Sequence, residues 1–101
     1  MYYFYLARCS DGSLYAGCCK YLLARESTHN AGQGALYTKK RLPIKIIYSE
    51  KYNTLAEARK REKQVKGWAR IKKENLIKYG NPTGKRPLVH PTGDALRGQN
   101  L

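Results

Sequence analysis

The chain has 101 residues, 42% of them hydrophobic, and carries 20 Lys and Arg against 7 Asp and Glu, a formal net charge of +13. That length suits one small domain with a modest core, and no run of about 18 apolar residues is present to cross a membrane as a helix. The cation excess points to a polyanionic partner, nucleic acid first; the basic residues are spread over several elements, not gathered on one amphipathic helix, which argues against a membrane surface.

The first eight residues, Met1-Tyr-Tyr-Phe-Tyr-Leu-Ala-Arg8, are too short and too aromatic for a signal peptide, so a cytoplasmic location is expected. Cys9, Cys18 and Cys19 are an odd number in a chain without an export signal, so reduced thiols are expected. A zinc site with His29 or His90 is disfavoured: no Cys-x-x-Cys pair exists, and adjacent Cys18 and Cys19 point to opposite faces of a strand.

Tyr2 to Arg8 is rich in β-preferring residues, Ser10-Asp-Gly-Ser13 is a turn signal, and Leu14 to Cys18 resumes the apolar pattern, which together predict a hairpin. Strand alternation puts Tyr3, Tyr5 and Ala7 on one side and Tyr2, Phe4 and Leu6 on the other, so both faces carry aromatics. The second strand runs through Gly17 towards a helix from about Tyr21 to His29. Arg25 and His29 lie four residues apart on one helical face, shared with Leu22, where an apolar stripe belongs. An Arg with its stem buried and its head in water, beside a half-buried His, would explain this as well as a functional pair would.

Asn30-Ala-Gly-Gln-Gly34 ends that helix and leads to Ala35-Leu-Tyr-Thr-Lys-Lys-Arg41. Glycines beside a basic cluster allow a phosphate close to the backbone, but no Lys-Ser/Thr follows them, so a nucleotide-binding P-loop is not supported. After Pro43, a third strand over Ile44 to Glu50 is expected to turn Lys45 to solvent and Ile44 and Ile46 to the core, with one wet face. Thr54-Leu-Ala-Glu57 has capping-box spacing and Gly67 closes the segment, which predicts a helix over Leu55 to Lys66. Its stripe is Leu55, Ala58 and Val65, and the position that completes it is Glu62. An acid on the core side of so basic a helix needs a partner, either a neighbouring Lys or Arg or a metal ion.

A shorter helix is expected over Trp68 to Tyr79. Residues 81–101 then hold Pro82, Pro87 and Pro91 with a repeated Pro-Thr-Gly and no apolar period, so the domain is taken as 1–80 and the remainder as a flexible basic tail with Lys85, Arg86 and Arg97. The surface cations expected to meet nucleic acid are Lys39, Lys40, Arg41, Arg59, Lys63, Lys66, Lys72 and Lys73.

The candidate chemical groups are Tyr3, Tyr5, Tyr15, Arg25, His29, Tyr37 and Glu62. Phosphodiester hydrolysis requires an activated water, charge stabilisation on the phosphorane and help for the leaving oxygen. Tyr or His suits the first, Arg25 the second and Glu62 with a divalent ion the third. The remaining acids (Asp11, Glu26, Glu50, Glu57, Glu74 and Asp94) are not expected beside Glu62, which disfavours a two-metal centre and suits one hydrated Mg2+ on one carboxylate. Serine or cysteine hydrolase chemistry lacks an orienting acid for His29.

In combination, Tyr3-Phe-Tyr5, Tyr15-Ala-Gly17, Arg25-x-x-x-His29-Asn30, Ala35-Leu-Tyr-Thr38 and Arg61-Glu-Lys63 resemble the motifs of the GIY-YIG nuclease superfamily, in family order over about Tyr2 to Lys78. The resemblance is to its small single-domain members and implies an α+β fold, a three-stranded mixed sheet flanked by helices in the order β-β-α-β-α-α. It further implies Mg2+-dependent (or Mn2+-dependent) DNA strand cleavage. In it Tyr5 would be the base or water-positioning group, supported by Tyr15; Arg25 would stabilise the phosphate, His29 assist proton transfer and Glu62 hold the metal. The motif glycine is Tyr3 here, the central isoleucines are Phe4 and Ala16, and Ala24 stands where many relatives have a second Arg; none of these removes a presumed catalytic group. Asn75 is the one candidate for a late Asn that some members use. With no second domain in the chain, little sequence preference is expected, on DNA that is branched or damaged in repair or recombination. No small-molecule cofactor is expected. The alternative is a nucleic-acid-binding or adaptor module on the same fold that cleaves little.

Overall fold

β1 (Tyr2–Arg8) and β2 (Leu14–Cys19) form the expected hairpin, antiparallel, with Tyr5 opposite Gly17 and Ala7 opposite Tyr15. In its turn the Asp11 carboxylate accepts from the Ser13 backbone N–H at 3.0 Å and Gly12 adopts a φ of 85°, a left-handed conformation that glycine tolerates without a Cβ penalty. The computed structural model describes residues 1–83. The expected tail with Lys85, Arg86, His90 and Arg97 therefore lies outside the described residues apart from 81–83.

β3 (Lys45–Tyr52) pairs with the other side of β1, giving the order β2-β1-β3. Both neighbours of β1 run antiparallel to it, so the sheet is antiparallel where the resemblance implied a mixed one. The reason is burial. Phe4, Tyr5, Leu6 and Ala7 are all fully buried, so β1 needs cover on both faces and takes the centre, which keeps the co-directional β2 and β3 apart.

The helices follow as α1 (Leu22–Asn30), α2 (Leu36–Lys39), α3 (Leu55–Lys66) and α4 (Arg70–Tyr79). The predicted order β-β-α-β-α-α holds, with the single turn α2 added between α1 and β3. α3 starts with the predicted capping box: Thr54 Oγ1 accepts from the Glu57 N–H at 3.2 Å, and the Glu57 carboxylate accepts from the Thr54 N–H at 3.1 Å. α4 begins two residues later than expected, because Trp68 lies in the α3–α4 turn and packs on the core.

Strand alternation sorts the apolar residues into two layers. Phe4, Leu6 and Ala16 meet Val65 and Leu76 on one face, with Tyr48, Tyr52, Trp68 and Ile77 around them. Tyr5, Ala7, Cys9, Cys19 and Ile44 make the other, flanked by Leu22, Leu42 and Ile46. β3 keeps the expected wet face, with Lys45, Ser49 and Lys51 exposed and Tyr48, Glu50 and Tyr52 half-buried. Glu50 turns inward and is satisfied by four donors: Arg61 Nε and Nη2 at 2.9 and 3.1 Å, and the Tyr48 and Tyr52 hydroxyls at 2.5 and 2.7 Å. This fork joins α3 to β3, and a second one, Arg8 to Glu74 at 2.6 and 2.8 Å, joins α4 to β1.

Candidate active site

The cleft is built around the outer edge of β2. Tyr5 and Tyr15 project on the α1 side of the sheet, Glu62 comes from α3 on the opposite side, and Gly17 and Cys18 form the rim between them. Arg25, Arg59, Lys63 and Lys66 complete a cleft of about 480 Å3. Tyr5 has no exposed area of its own, so its ring is the floor of this cleft and is reached past Gly17, where a Cβ would stand 2.5 Å from the Tyr5 hydroxyl.

Four of the five predicted catalytic residues (Tyr5, Tyr15, Arg25 and Glu62) line this one cleft. The fifth, His29, lies behind it, 2% exposed, with Nε2 at 2.9 Å from the Tyr5 hydroxyl. Its Nδ1 is 2.9 Å from Thr38 Oγ1, which is in turn 2.9 Å from the Ala35 carbonyl oxygen. The carbonyl can only accept, so the Thr38 hydroxyl donates to it and accepts from His29 Nδ1–H. Nε2 is then the acceptor and Tyr5 O–H the donor. Burial, with Arg25 adding, pushes the imidazole below its ordinary value and keeps it neutral. Burial, with Tyr15 adding and Arg25 opposing, pushes the Tyr5 phenol well above its ordinary value.

The glycine loop serves this arrangement. A Cβ on Gly34 would overlap the His29 ring, so the backbone closes on the imidazole, where the sequence suggested approach to a phosphate. Asn30, next in the motif, clamps the end of α1 to the start of β3: its side chain donates to the Ile44 carbonyl at 3.0 Å and accepts from the Ile44 N–H at 2.7 Å. Tyr15 packs edge-on to His29 with centroids 5.3 Å apart and stacks on Tyr37 at 6.1 Å. Tyr3 belongs to the apolar layer and not to the cleft.

Glu62 makes the expected ion pair with a neighbouring Lys and does so in the cleft. It takes Lys66 Nζ at 2.9 Å, while the Cys18 thiol donates to it; burial first, and then that bond, push the thiol up to about 11. Among the described residues no three His, Cys, Asp or Glu converge as a metal cage. A single hard carboxylate opening into a cleft fits a hydrated Mg2+ or Mn2+ that draws its other ligands from water and substrate, and fits poorly a zinc ion that needs several nitrogen or sulfur donors.

Of the predicted nucleic-acid contacts, Arg59, Lys63 and Lys66 line the cleft. Lys39, Lys40 and Lys72 are exposed outside it and Lys73 is half-buried. Arg41 is committed to protein partners, donating to Asp11 at 3.0 Å and the Tyr37 carbonyl at 2.8 Å while lying 3.9 Å from the Tyr37 ring centre. Asn75 is outside the cleft and donates to the Pro82 carbonyl at 3.3 Å. Sequence reasoning missed Thr38 and the spacing roles of Gly17 and Gly34; the signal for Thr38 was its place in the Ala35-Leu-Tyr-Thr38 motif, which carried no reason of its own.

Residues 1–75 match the model of the GIY-YIG catalytic domain. The chain is 51% identical over 77 residues to a UPF0213 protein of Staphylococcus aureus, across 76% of this chain and 94% of that one. The solution NMR structure of the UPF0213 protein BH0048 from Bacillus halodurans shares 35% identity and a TM-score of 0.50, over 77% of this chain and 84% of that one. That of EF2693 from E. faecalis shares 41% and 0.52, over 76% and 82%. With that coverage and identity, and with the tyrosine, arginine and glutamate motifs lining one cleft beside an antiparallel sheet, the chain belongs to the GIY-YIG nuclease family.

Proposed function

We propose that this protein is a metal-dependent DNA endonuclease that hydrolyses phosphodiester bonds with little sequence preference. The observation that carries the reading is the Tyr5 hydroxyl: it is bonded to a neutral His29 and forms the floor of a cleft shared with Arg25 and Glu62. A phenol pushed up by burial is not ionised at neutral pH, so Tyr5 acts as a relay and not as a free phenolate. As the water oxygen attacks phosphorus, its proton passes to Tyr5 Oη and the Tyr5 proton passes to His29 Nε2. The phosphorus–oxygen bond to the leaving strand breaks, and that oxygen takes a proton from solvent. Arg25 lies at the mouth of the cleft to hold the charge gathering on the non-bridging oxygens.

Glu62 is the residue that would hold Mg2+ or Mn2+, and the chemistry such an ion supplies when bound is stabilisation of charge on the leaving oxygen. Arg59, Lys63 and Lys66 then contact backbone phosphates, which positions a strand without reading its bases. Branched or damaged DNA, met in cytoplasmic repair or recombination, is the proposed substrate, held through its phosphates and not through base readout. A binding or adaptor module is the second reading, favoured by one observation: Glu62 already holds Lys66. The test is nicking of supercoiled and branched DNA with Mg2+ or EDTA by the wild type, Glu62→Ala and Arg25→Ala. Metal-dependent nicking lost in both variants supports the endonuclease; cleavage surviving both sinks the site assignment, and binding without cleavage in the wild type establishes the adaptor.

A further inference from the structure

We propose that Thr38 is a positioning residue, whose hydroxyl holds His29 in the Nδ1-protonated tautomer so that Nε2 is the atom that receives the Tyr5 proton. The effect on rate rests on the nuclease reading above, whereas the tautomer is a property of the folded chain alone. Thr38 and His29 are both buried polar side chains, and they are bonded to each other. The bond direction follows from proton counting. The Thr38 hydroxyl has one proton, given to the Ala35 carbonyl, and the neutral imidazole has one proton, given to Thr38. The Nε2 lone pair is left facing Tyr5.

The ring has no easy alternative. Gly34 closes on it so tightly that a Cβ would overlap the imidazole, and Tyr5 and Tyr15 pack edge-on against it from β1 and β2. In the resting protein Arg25, the cation that bears on His29 from its own helix, disfavours a doubly protonated ring. Replacing Thr38 by Val leaves Nδ1–H facing a methyl group. A buried N–H without a partner is disfavoured, so the proton moves to Nε2, which then donates to Tyr5 Oη. Tyr5 keeps its own proton with no acceptor, and the relay runs the wrong way.

The test uses full-length protein carrying 15N-histidine. The chain has two histidines, so two-bond proton–nitrogen spectra are simple to read, with H90Q identifying the His29 signals. Expected are an Nδ1–H tautomer in the wild type and T38S, and a shift towards Nε2–H in T38V. Nicking of supercoiled DNA by T38V should fall about 10–100-fold in kcat with KM nearly unchanged, and T38S should restore most of that loss. An Nε2–H tautomer in the wild type, or a T38V protein with wild-type tautomer and rate, overturns the proposal. If T38V fails to fold by circular dichroism, the wild-type and T38S spectra decide it. If the wild type cuts no DNA, the nuclease reading fails while the spectra still decide the tautomer.

Discussion

Gly17→Ala is the smallest change that should separate the fold from the chemistry. The new Cβ would stand 2.5 Å from the Tyr5 hydroxyl and 2.7 Å from Cζ, contacts that real Cβ atoms essentially never make, and a tight 3.0 Å from Cε2. The Tyr5 ring cannot retreat, because it is fully buried and its hydroxyl is tied to His29 at 2.9 Å. Overpacking of this kind costs about 1–3 kcal/mol, and losing the Tyr5–His29 bond adds about 1 kcal/mol. A total of about 2–4 kcal/mol corresponds to a fall in Tm of roughly 10–30 °C for a domain of this size, which a protein of ordinary stability survives at 25 °C. The assay is a thermal melt beside nicking at a temperature where both proteins are folded. The variant should fold and fail to cleave. Gly32→Ala is the control: its Cβ meets nothing within 4 Å and its φ is 79°, so it pays only backbone strain of about 1–2 kcal/mol and keeps its rate. A Gly17→Ala protein that melts within a few degrees of the wild type and cleaves normally would refute the close-packed floor.

Gly34→Ala forces the same conflict on the imidazole and should reduce nicking as far as His29→Gln does, measured on supercoiled DNA. Glu50→Gln weakens the fork to Arg61 and the tyrosine bonds without reaching the cleft; a loss of about 2–3 kcal/mol in guanidinium unfolding is expected. Stability should also depend on pH in two windows. His29 titrates lower in the folded chain, so the unfolded chain binds the extra proton: the contribution is complete above about pH 6.5 and is lost as pH falls below it. Tyr52, pushed up to about 12 by burial and then by Glu50, contributes fully below about pH 10 and less as pH rises towards its folded value. Urea midpoints across that range check both signs, and a flat acid limb would contradict a buried neutral His29. Finally, if Lys63 and Lys66 meet phosphates, each change to Ala should reduce the slope of log binding constant against log salt by up to about 0.9 on duplex DNA, measured by anisotropy; an unchanged slope would place the strand elsewhere.

Local rules determined a good part of this protein. The Thr54–Glu57 capping box, the Asp11-Gly12 turn and the strand over Tyr2 to Arg8 with aromatics on both faces depend on residues within a few positions of one another, and all were readable in order; that Phe4 to Ala7 are buried on both faces was not. Helical period alone placed Glu62 on the sheet side of α3 and His29 with Arg25 on one face of α1. Tertiary structure decided what each of those faces meets. The choice between ion pair and cleft at Glu62 proved to be no choice, since Lys66 lies one turn along the same helix while the cleft lies across β2. Arg41, read as a free cation, is taken by Asp11, 30 residues away, and Glu50 is turned inward by Arg61 and two tyrosines. Thr38 shows the limit most clearly. One turn of helix has no periodicity to read, and a threonine hydroxyl has no assigned partner until the glycine loop lays it against His29. Periodicity assigns a side chain to a face; only long-range packing supplies the atom that accepts its proton.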